Sequence, residues 1–449
     1  MTATNTFWCE LAWLGGDEAA SDVLLTTKAD VITAVVPGVP CPSDATRLAG
    51  LTLPGLANAH SHAFHRALRG RTHAGTGSFW SWREEMYRAA ARIDPDGYYR
   101  LARAVYGEMV LAGITCVGEF HYLHHDQGGV PYAEPNAMGA ALVAAAHDAG
   151  LRITLLDTCY LHGGIGVAPN DVQQRFSDGD GPAWASRATA LDRLESATCR
   201  IGAAIHSVRA VDPATMEIVA AWAAARHTVV HAHVSEQPAE NEQCVEAYGL
   251  TPTALLAECG VLGDHFTAVH ATHLAVSDIE LYGSHGCTIC MCPTTERDLA
   301  DGIGPARMLR NAGARLSMGS DSHAVIDMFE EARALEMDER LASLVRGNHD
   351  APSLLRDATE HGHACLGWPD AGRLAEGSLA DFTSVRLDTV RTAGSTPTTA
   401  LASAVFAATA ADVHHVVVAG EVVVVDGRHR SIDVASELAA AIGDLMGER

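Results

Sequence analysis

LTLPGLANAHSH, residues 51–62, is an apolar run that begins at a Pro54-Gly55 step and ends in two histidines. In an extended strand, side chains two apart share a face, so His60 and His62 can point at one ion. Other apolar runs end in the same way: Glu119 and His121 follow ITCVG, His233 follows TVVHA, His270 follows FTAV, and Asp321 follows LSMGS. Parallel strands buried on both faces read as unbroken apolar runs. In a barrel of such strands the C-terminal ends carry the chemistry.

The segments between these runs read as helices. NAMGAALVAAAHDAG ends at Gly150 in a C-cap position, and PATMEIVAAWAAAR is a second such stretch. Alternation of strand and helix over about 310 residues indicates parallel α/β, and a (β/α)8 TIM-like barrel fits that length. The two ends of the chain differ from the middle. LAWLGG, DVLLTT, VITAVVPG and TRLAGLTL near the start, and DFTSVRL and HHVVVAGEVVVVDG near the end, are short strands broken by turns. They predict one small β-sandwich domain built from both ends. The expected division is 1–54 and 369–449 for its two parts, with the barrel at 55–368. A chain of 449 residues exceeds what one compact core holds.

Hydrophobic residues make up 48% and charged residues 19%, the balance of a soluble globular enzyme. A formal net charge of −24 without a basic stripe argues against nucleic acid and anionic membranes as partners. No apolar run is long enough to span a bilayer. Residues Met1 to Leu14 lack the basic-then-apolar pattern of a secretory signal, which predicts a cytoplasmic protein. The 11 cysteines have no framework spacing. Cys287, Cys290 and Cys292 lack the second CxxC pair of a zinc ribbon and read as small apolar residues of a buried strand. Lys28 is the only lysine, so chemistry that needs a barrel lysine is excluded.

Within HAHVSEQ, His231 shares a face with His233 but lies one layer deeper, as a hydrogen-bonded core residue would. His233 sits at the strand end. Glu236, three residues on, can reach over an ion without binding it. Asp321 can bind the ion and accept a proton from water, or alternatively cap the next segment. Gly319 and Ser320 leave room around it. Three imidazoles (His60, His62, His233) and one carboxylate (Asp321) suit a single divalent ion, Zn2+ or Fe2+, with a position open for water.

HSH after the first barrel strand, then HVSE, HATHL and SDS, in this order, resemble the amidohydrolase superfamily. Lys28 precedes the barrel, so the resemblance is to its mononuclear deaminase branch and not to members with a carboxylated bridging lysine. It implies that Glu236 shuttles protons, that His270 polarises the attacking oxygen or the substrate, and that Asp321 takes the first proton. His273 falls on the other face from His270 and reads as structural. The flanking segments NAHSHAFHRALRGRT, SFWSWREEMYR, GEFHYLHHD and AIHSVRAV are similar to formimidoylglutamate deiminases of histidine degradation, over essentially the whole chain. That likeness implies a small anionic amidine substrate and a homodimer. Arg209 and Arg83 would pair with its carboxylates; Arg83 could instead pair with Glu84 or Glu85. Tyr122 and His206 would hydrogen-bond the substrate, as would His65, which stands where many members carry Gln. Trp80 and Trp82 read as packing residues of their loop. One of His121, His124 and His125 would support the site from behind. The rival readings are another deaminase of this branch, acting on guanine or an adenosine-like ring, and a non-catalytic scaffold.

Overall fold

The computed structural model describes residues 4–73 and 79–447. The chain opens with β1 (Thr4–Ala12), β2 (Ala20–Lys28), β3 (Val31–Val36) and β4 (Thr46–Pro54). Eight strands follow: β5 (Leu56–Ser61), β6 (Ile114–His121), β7 (Arg152–Cys159), β8 (Cys199–Ile205), β9 (Val230–Val234), β10 (Phe266–His270), β11 (Thr288–Met291) and β12 (Arg315–Met318). The last four are β13 (Phe382–Val385), β14 (Val413–Val418), β15 (Glu421–Val425) and β16 (Arg428–His429).

Strands β5 to β12 pair in sequence order and in parallel. All residues of β5, β6, β7, β9, β10 and β11 are buried, as expected of strands covered by helices outside and side chains inside. Ser61 pairs with Asp321 to bring the first and last strands together. This is the (β/α)8 barrel read from the sequence. Several of the crossover helices start on acidic caps followed by proline. Asp94 accepts from Gly97 N ahead of Pro95–Leu111, and Asp212 accepts from Thr215 N ahead of Pro213–Arg226. Gly150 ends Ala137–Ala149 with φ 72, a left-handed conformation that glycine adopts without a Cβ penalty.

The two chain ends form a second, mixed sheet in the order β16-β15-β14-β13-β4-β1-β2-β3. The join is β13 against β4, antiparallel, with Ser384 opposite Thr52 and their hydroxyls 3.0 Å apart. A separate core that includes Phe7, Val23, Leu25, Ile32, Leu48 and Phe382 lies on one face of it. Burying each such side chain contributes about 1.5–3 kcal/mol. The small domain is anchored to the barrel by a buried ion pair, Arg152 Nε to Asp381 Oδ2 at 2.6 Å. The helix Val434–Met446 packs back on Pro95–Leu111, where Arg103 pairs with Glu437.

Candidate active site

His60, His62, His233, His270 and Asp321 converge at the C-terminal mouth of the barrel. His233 Nε2 lies 3.1 Å from His60 Nε2 and 3.4 Å from His62 Nε2. Asp321 Oδ1 lies 3.3 Å from His60 Nε2 and 3.4 Å from His62 Nε2. Ligands about 2.0–2.1 Å from a tetrahedral ion stand about 3.3 Å from one another, so this spacing matches a metal cage.

Proton positions support the same assignment. His62 Nδ1 is 3.0 Å from the Phe120 carbonyl oxygen, and His233 Nδ1 is 2.9 Å from that of His206. A carbonyl only accepts, so both Nδ1 atoms carry the hydrogen and both Nε2 atoms are bare lone pairs. Two lone pairs facing each other at 3.4 Å repel unless a cation lies between them. Burial lowers the His62 imidazole to about 3, with His60 adding to the effect. Burial likewise holds His60 and His233 below the usual histidine range. Asp321 is raised by burial, but His60 and His270 more than reverse this and keep it ionised. Neutral imidazoles and an ionised carboxylate are the protonation states a divalent ion requires.

The backbone is bent to aim these groups. His270 has φ 67 and Asp321 φ 40, both in the left-handed region. Such residues cost about 1–3 kcal/mol each and are held by their surroundings. His270 Nδ1 lies 3.4 Å from Glu296 Oε1, which also accepts from Cys292 N at 2.9 Å. Asn58 on β5 accepts from Ser320 N at 2.9 Å and donates to Ser320 Oγ at 2.7 Å, fixing the approach to Asp321. Glu119 points out of the barrel behind the first two ligands, accepting from Ser61 Oγ at 2.8 Å and Ala63 N at 2.7 Å.

Two buried ionisable groups, Glu236 and His270, flank the space between these candidate ligands. His270 Nε2 lies 3.8 Å from Glu236 Oε1 and 3.7 Å from Asp321 Oδ2. Burial alone would lower His270, but Glu236 and its hydrogen bond to Glu296 raise it well above the usual value. Burial raises the Glu236 carboxyl, against the pull of His270 and Arg209.

A cavity of about 660 Å³, counting its mouth, runs from the metal residues to Arg83 and Arg209. His65, Tyr122 and His206 line it, with His65 Nε2 2.9 Å from Tyr122 Oη. Arg209 donates to Glu240 Oε2 at 3.0 Å and stands 3.9 Å from Glu236. Glu240 is tied in turn to Ser235 N at 2.9 Å. The guanidinium of Arg83 lies over Tyr87, 5.6 Å from the ring centre. Trp82 lines the cavity, edge-on to His65, where the sequence suggested loop packing alone; the side chain of Trp80 lies outside the described residues. Tyr160 and Phe176 also line the cavity and carried no signal in the sequence.

His162 also lines the cavity, whereas the remaining histidines singled out in the sequence fall away from it. His231 Nε2 bonds the Cys365 carbonyl and His273 Nε2 that of Asp301. His121 at the end of β6, with His124 and His125 after it, clusters with Asp157, Asp178 and Arg187 instead. Cys287, Cys290 and Cys292 are buried and unpaired.

A parallel barrel with three neutral imidazoles, an ionised aspartate and a buried glutamate at its catalytic face is that of a metal-dependent hydrolase. The chain belongs to the amidohydrolase family, whose description matches residues 51–423. It is 36% identical to formimidoylglutamate deiminase of Pseudomonas aeruginosa over 440 residues, covering 95% of this chain and 96% of that one. Among solved structures it is similar to an amidohydrolase from Brucella melitensis, with TM-score 0.90, 33% identity and coverage of 98% and 100%. It is also similar to an adenosine deaminase from Xanthomonas campestris with bound zinc, with TM-score 0.84, 25% identity and coverage of 98% and 97%.

Proposed function

We propose that the protein hydrolyses N-formimidoyl-L-glutamate to N-formyl-L-glutamate and ammonia. The observation that carries this reading is the cavity itself, lined both by the candidate metal donors His62, His233 and Asp321 and by two arginines. An amidine reaches the donors while two carboxylates meet Arg209 and Arg83. These guanidiniums supply local positive charge in a chain of net charge −24, where a dianion would otherwise be repelled.

His60, His62, His233 and Asp321 would hold the ion, which when bound would supply Lewis acidity and make a water nucleophilic near neutral pH. Asp321 accepts the proton of the attacking water, as suits a carboxyl whose neighbours keep it ionised. Oxygen adds to the formimidoyl carbon, giving a tetrahedral centre. Glu236, raised by burial, carries a proton to the terminal nitrogen. That carbon–nitrogen bond breaks, ammonia leaves and the formyl C=O forms. His270, held cationic by surrounding carboxylates, stabilises the negative charge that develops on oxygen. Two carboxyls pushed in opposite directions divide the base and acid roles. Tyr122, His206 and His65 orient the amidine.

The wider reading is one Zn2+ or Fe2+ per chain, a step of histidine degradation, a cytoplasmic homodimer and no nucleic-acid or membrane partner. The zinc of the related adenosine deaminase supports the metal. No helix among the described residues is long and apolar enough to cross a membrane. The aromatic lining from Trp82, Tyr122, Tyr160 and Phe176 favours a second reading, deamination of a purine-like ring. Ammonia release from formimidoylglutamate, adenosine and guanine decides between them. Formimidoylglutamate is expected to give the highest kcat/KM, and a preference for either purine would overturn the proposal.

A further inference from the structure

We propose that His414, His415 and Asp426 form a second divalent-metal site, on the sheet built from the chain ends and apart from the barrel centre. One ligand atom from each lies within 4.8 Å of the other two. His414 Nε2 is 2.8 Å from the carbonyl oxygen of Ala49, which can only accept. The hydrogen therefore sits on Nε2, and Nδ1 is a bare lone pair turned toward His415. This is the arrangement in which a backbone carbonyl fixes the tautomer of a metal-binding imidazole. His415 Nδ1 faces that lone pair at 2.6 Å. The rings stand edge to face, 4.6 Å apart at 83°, so both nitrogens look into the same space.

The third donor is held by the backbone. Asp426 begins the Asp426-Gly427 turn between β15 and β16, with φ 49. Gly427 N donates to the carbonyl oxygen of His414 itself at 3.1 Å. The turn is thereby pinned to the residue whose ring it faces. Among the described residues the Asp426 carboxylate has no hydrogen-bond or ion-pair partner. It is exposed and His415 is half-buried, so small side-chain rotations open the two nitrogens to the about 3.3 Å of a tetrahedral pair and bring the carboxylate in.

The surroundings favour a cation. An open cleft of about 1380 Å³, counting its mouth, adjoins His414 and Asp426 and is also lined by Glu10 and Asp388. Arg386, its one arginine, is committed to Asp388 through bonds of 2.9 and 3.0 Å. Burial keeps both imidazoles neutral, and for His415 the neighbouring His414 acts in the same direction. Two imidazoles and one carboxylate select a transition ion such as Zn2+ over Mg2+ or Ca2+, which prefer all-oxygen sites. The buried group His121, His124 and Asp157 has similar residue types, but Arg187 already neutralises Asp157 there with a 2.8 Å contact. The ion would tie β14 to the β15–β16 turn, beside the point where β4 from the other chain end is held.

The test uses the full-length enzyme with its catalytic centre filled, dialysed and titrated with Zn2+, with zinc per chain measured by elemental analysis. Wild type is expected to take up one further ion at micromolar Zn2+ and to gain a zinc-dependent rise in Tm. His415→Ala and Asp426→Asn should each lose that ion and that rise, with turnover within about twofold of wild type because the two sites share no residue or hydrogen-bond partner. Asp426→Asn keeps the test decisive should His415→Ala fold poorly. A wild type that saturates without the further ion, as a simple N–H···N bond between the rings would give, overturns the proposal. Retention of the ion by either folded variant overturns this ligand set.

Discussion

The backbone amide of Asp321 donates to the carbonyl oxygen of His60 at 3.0 Å. Two candidate metal donors, one on the first strand of the barrel and one just past the last, are thus joined by the hydrogen bonding that closes it. His62 N returns a longer bond, 3.4 Å, to the carbonyl oxygen of Asp321. Assembly of the centre and closure of the barrel are one event.

Gly319→Ala should damage both together. A Cβ at Gly319 would stand 2.7 Å from His60 Cβ and 2.9 Å from the His60 carbonyl oxygen, so β5 and β12 must separate. A loss of about 1–3 kcal/mol is expected from overpacking, with weakened metal retention. Thermal unfolding and metal content check this; unchanged values for both would refute the link.

Glu236→Gln should keep its metal and lose turnover. Glu236 is not among the four atoms spaced 3.1–3.4 Å apart, yet faces His270 at 3.8 Å. Removing a positioned proton carrier costs about 10²–10⁴ in rate. Metal analysis with steady-state kinetics checks both halves, and wild-type kcat with full metal would sink the assigned role.

Arg209→Met should do two separable things. It deprives the substrate of a bidentate partner and leaves Glu240, 1% exposed, without its cation. An uncompensated buried charge costs about 3–5 kcal/mol. The double variant Arg209→Met with Glu240→Gln should recover most of the stability while KM for formimidoylglutamate stays raised. Recovery of KM along with stability would show that Arg209 acts through the fold alone.

Glu119 predicts a pH dependence of stability. Burial pushes its carboxyl up to about 7, despite hydrogen bonds from Ala63 and Ser61. The folded state therefore holds a proton that the unfolded chain releases near pH 4.5. This contribution is fully present below that pH and is lost as pH rises to about 7, about 3 kcal/mol in all. Glu119→Gln, a neutral mimic, should flatten the fall between pH 5 and 7. Denaturant titrations at equal metal loading measure it, and parallel pH profiles would contradict the prediction.

Much of the centre was legible in the chain. HSH at 60–62 obeys the two-residue period of a strand, and His233 and Asp321 end apolar runs, so their position could be read one strand at a time. The supporting groups were not legible. Glu296 reaches His270 across 26 residues, and Asn58 reaches Ser320 across 262. Nothing in either local pattern announces such a partner. Strand alternation also says little at His270 and Asp321, because positive φ turns each residue out of the pleat.

By itself the sequence determined the barrel and the pairing of the chain ends into one domain, and it nominated His60, His62, His233 and Asp321 as metal donors. Periodicity, apolar runs and spacing are local properties. Only the tertiary structure decided that the imidazole Nε2 atoms face one another bare, that Arg209 is shared between Glu240 and the cavity, and that Asp321 is bonded to His60. Each of these depends on register between strands far apart in the chain, which barrel closure sets and no single segment encodes.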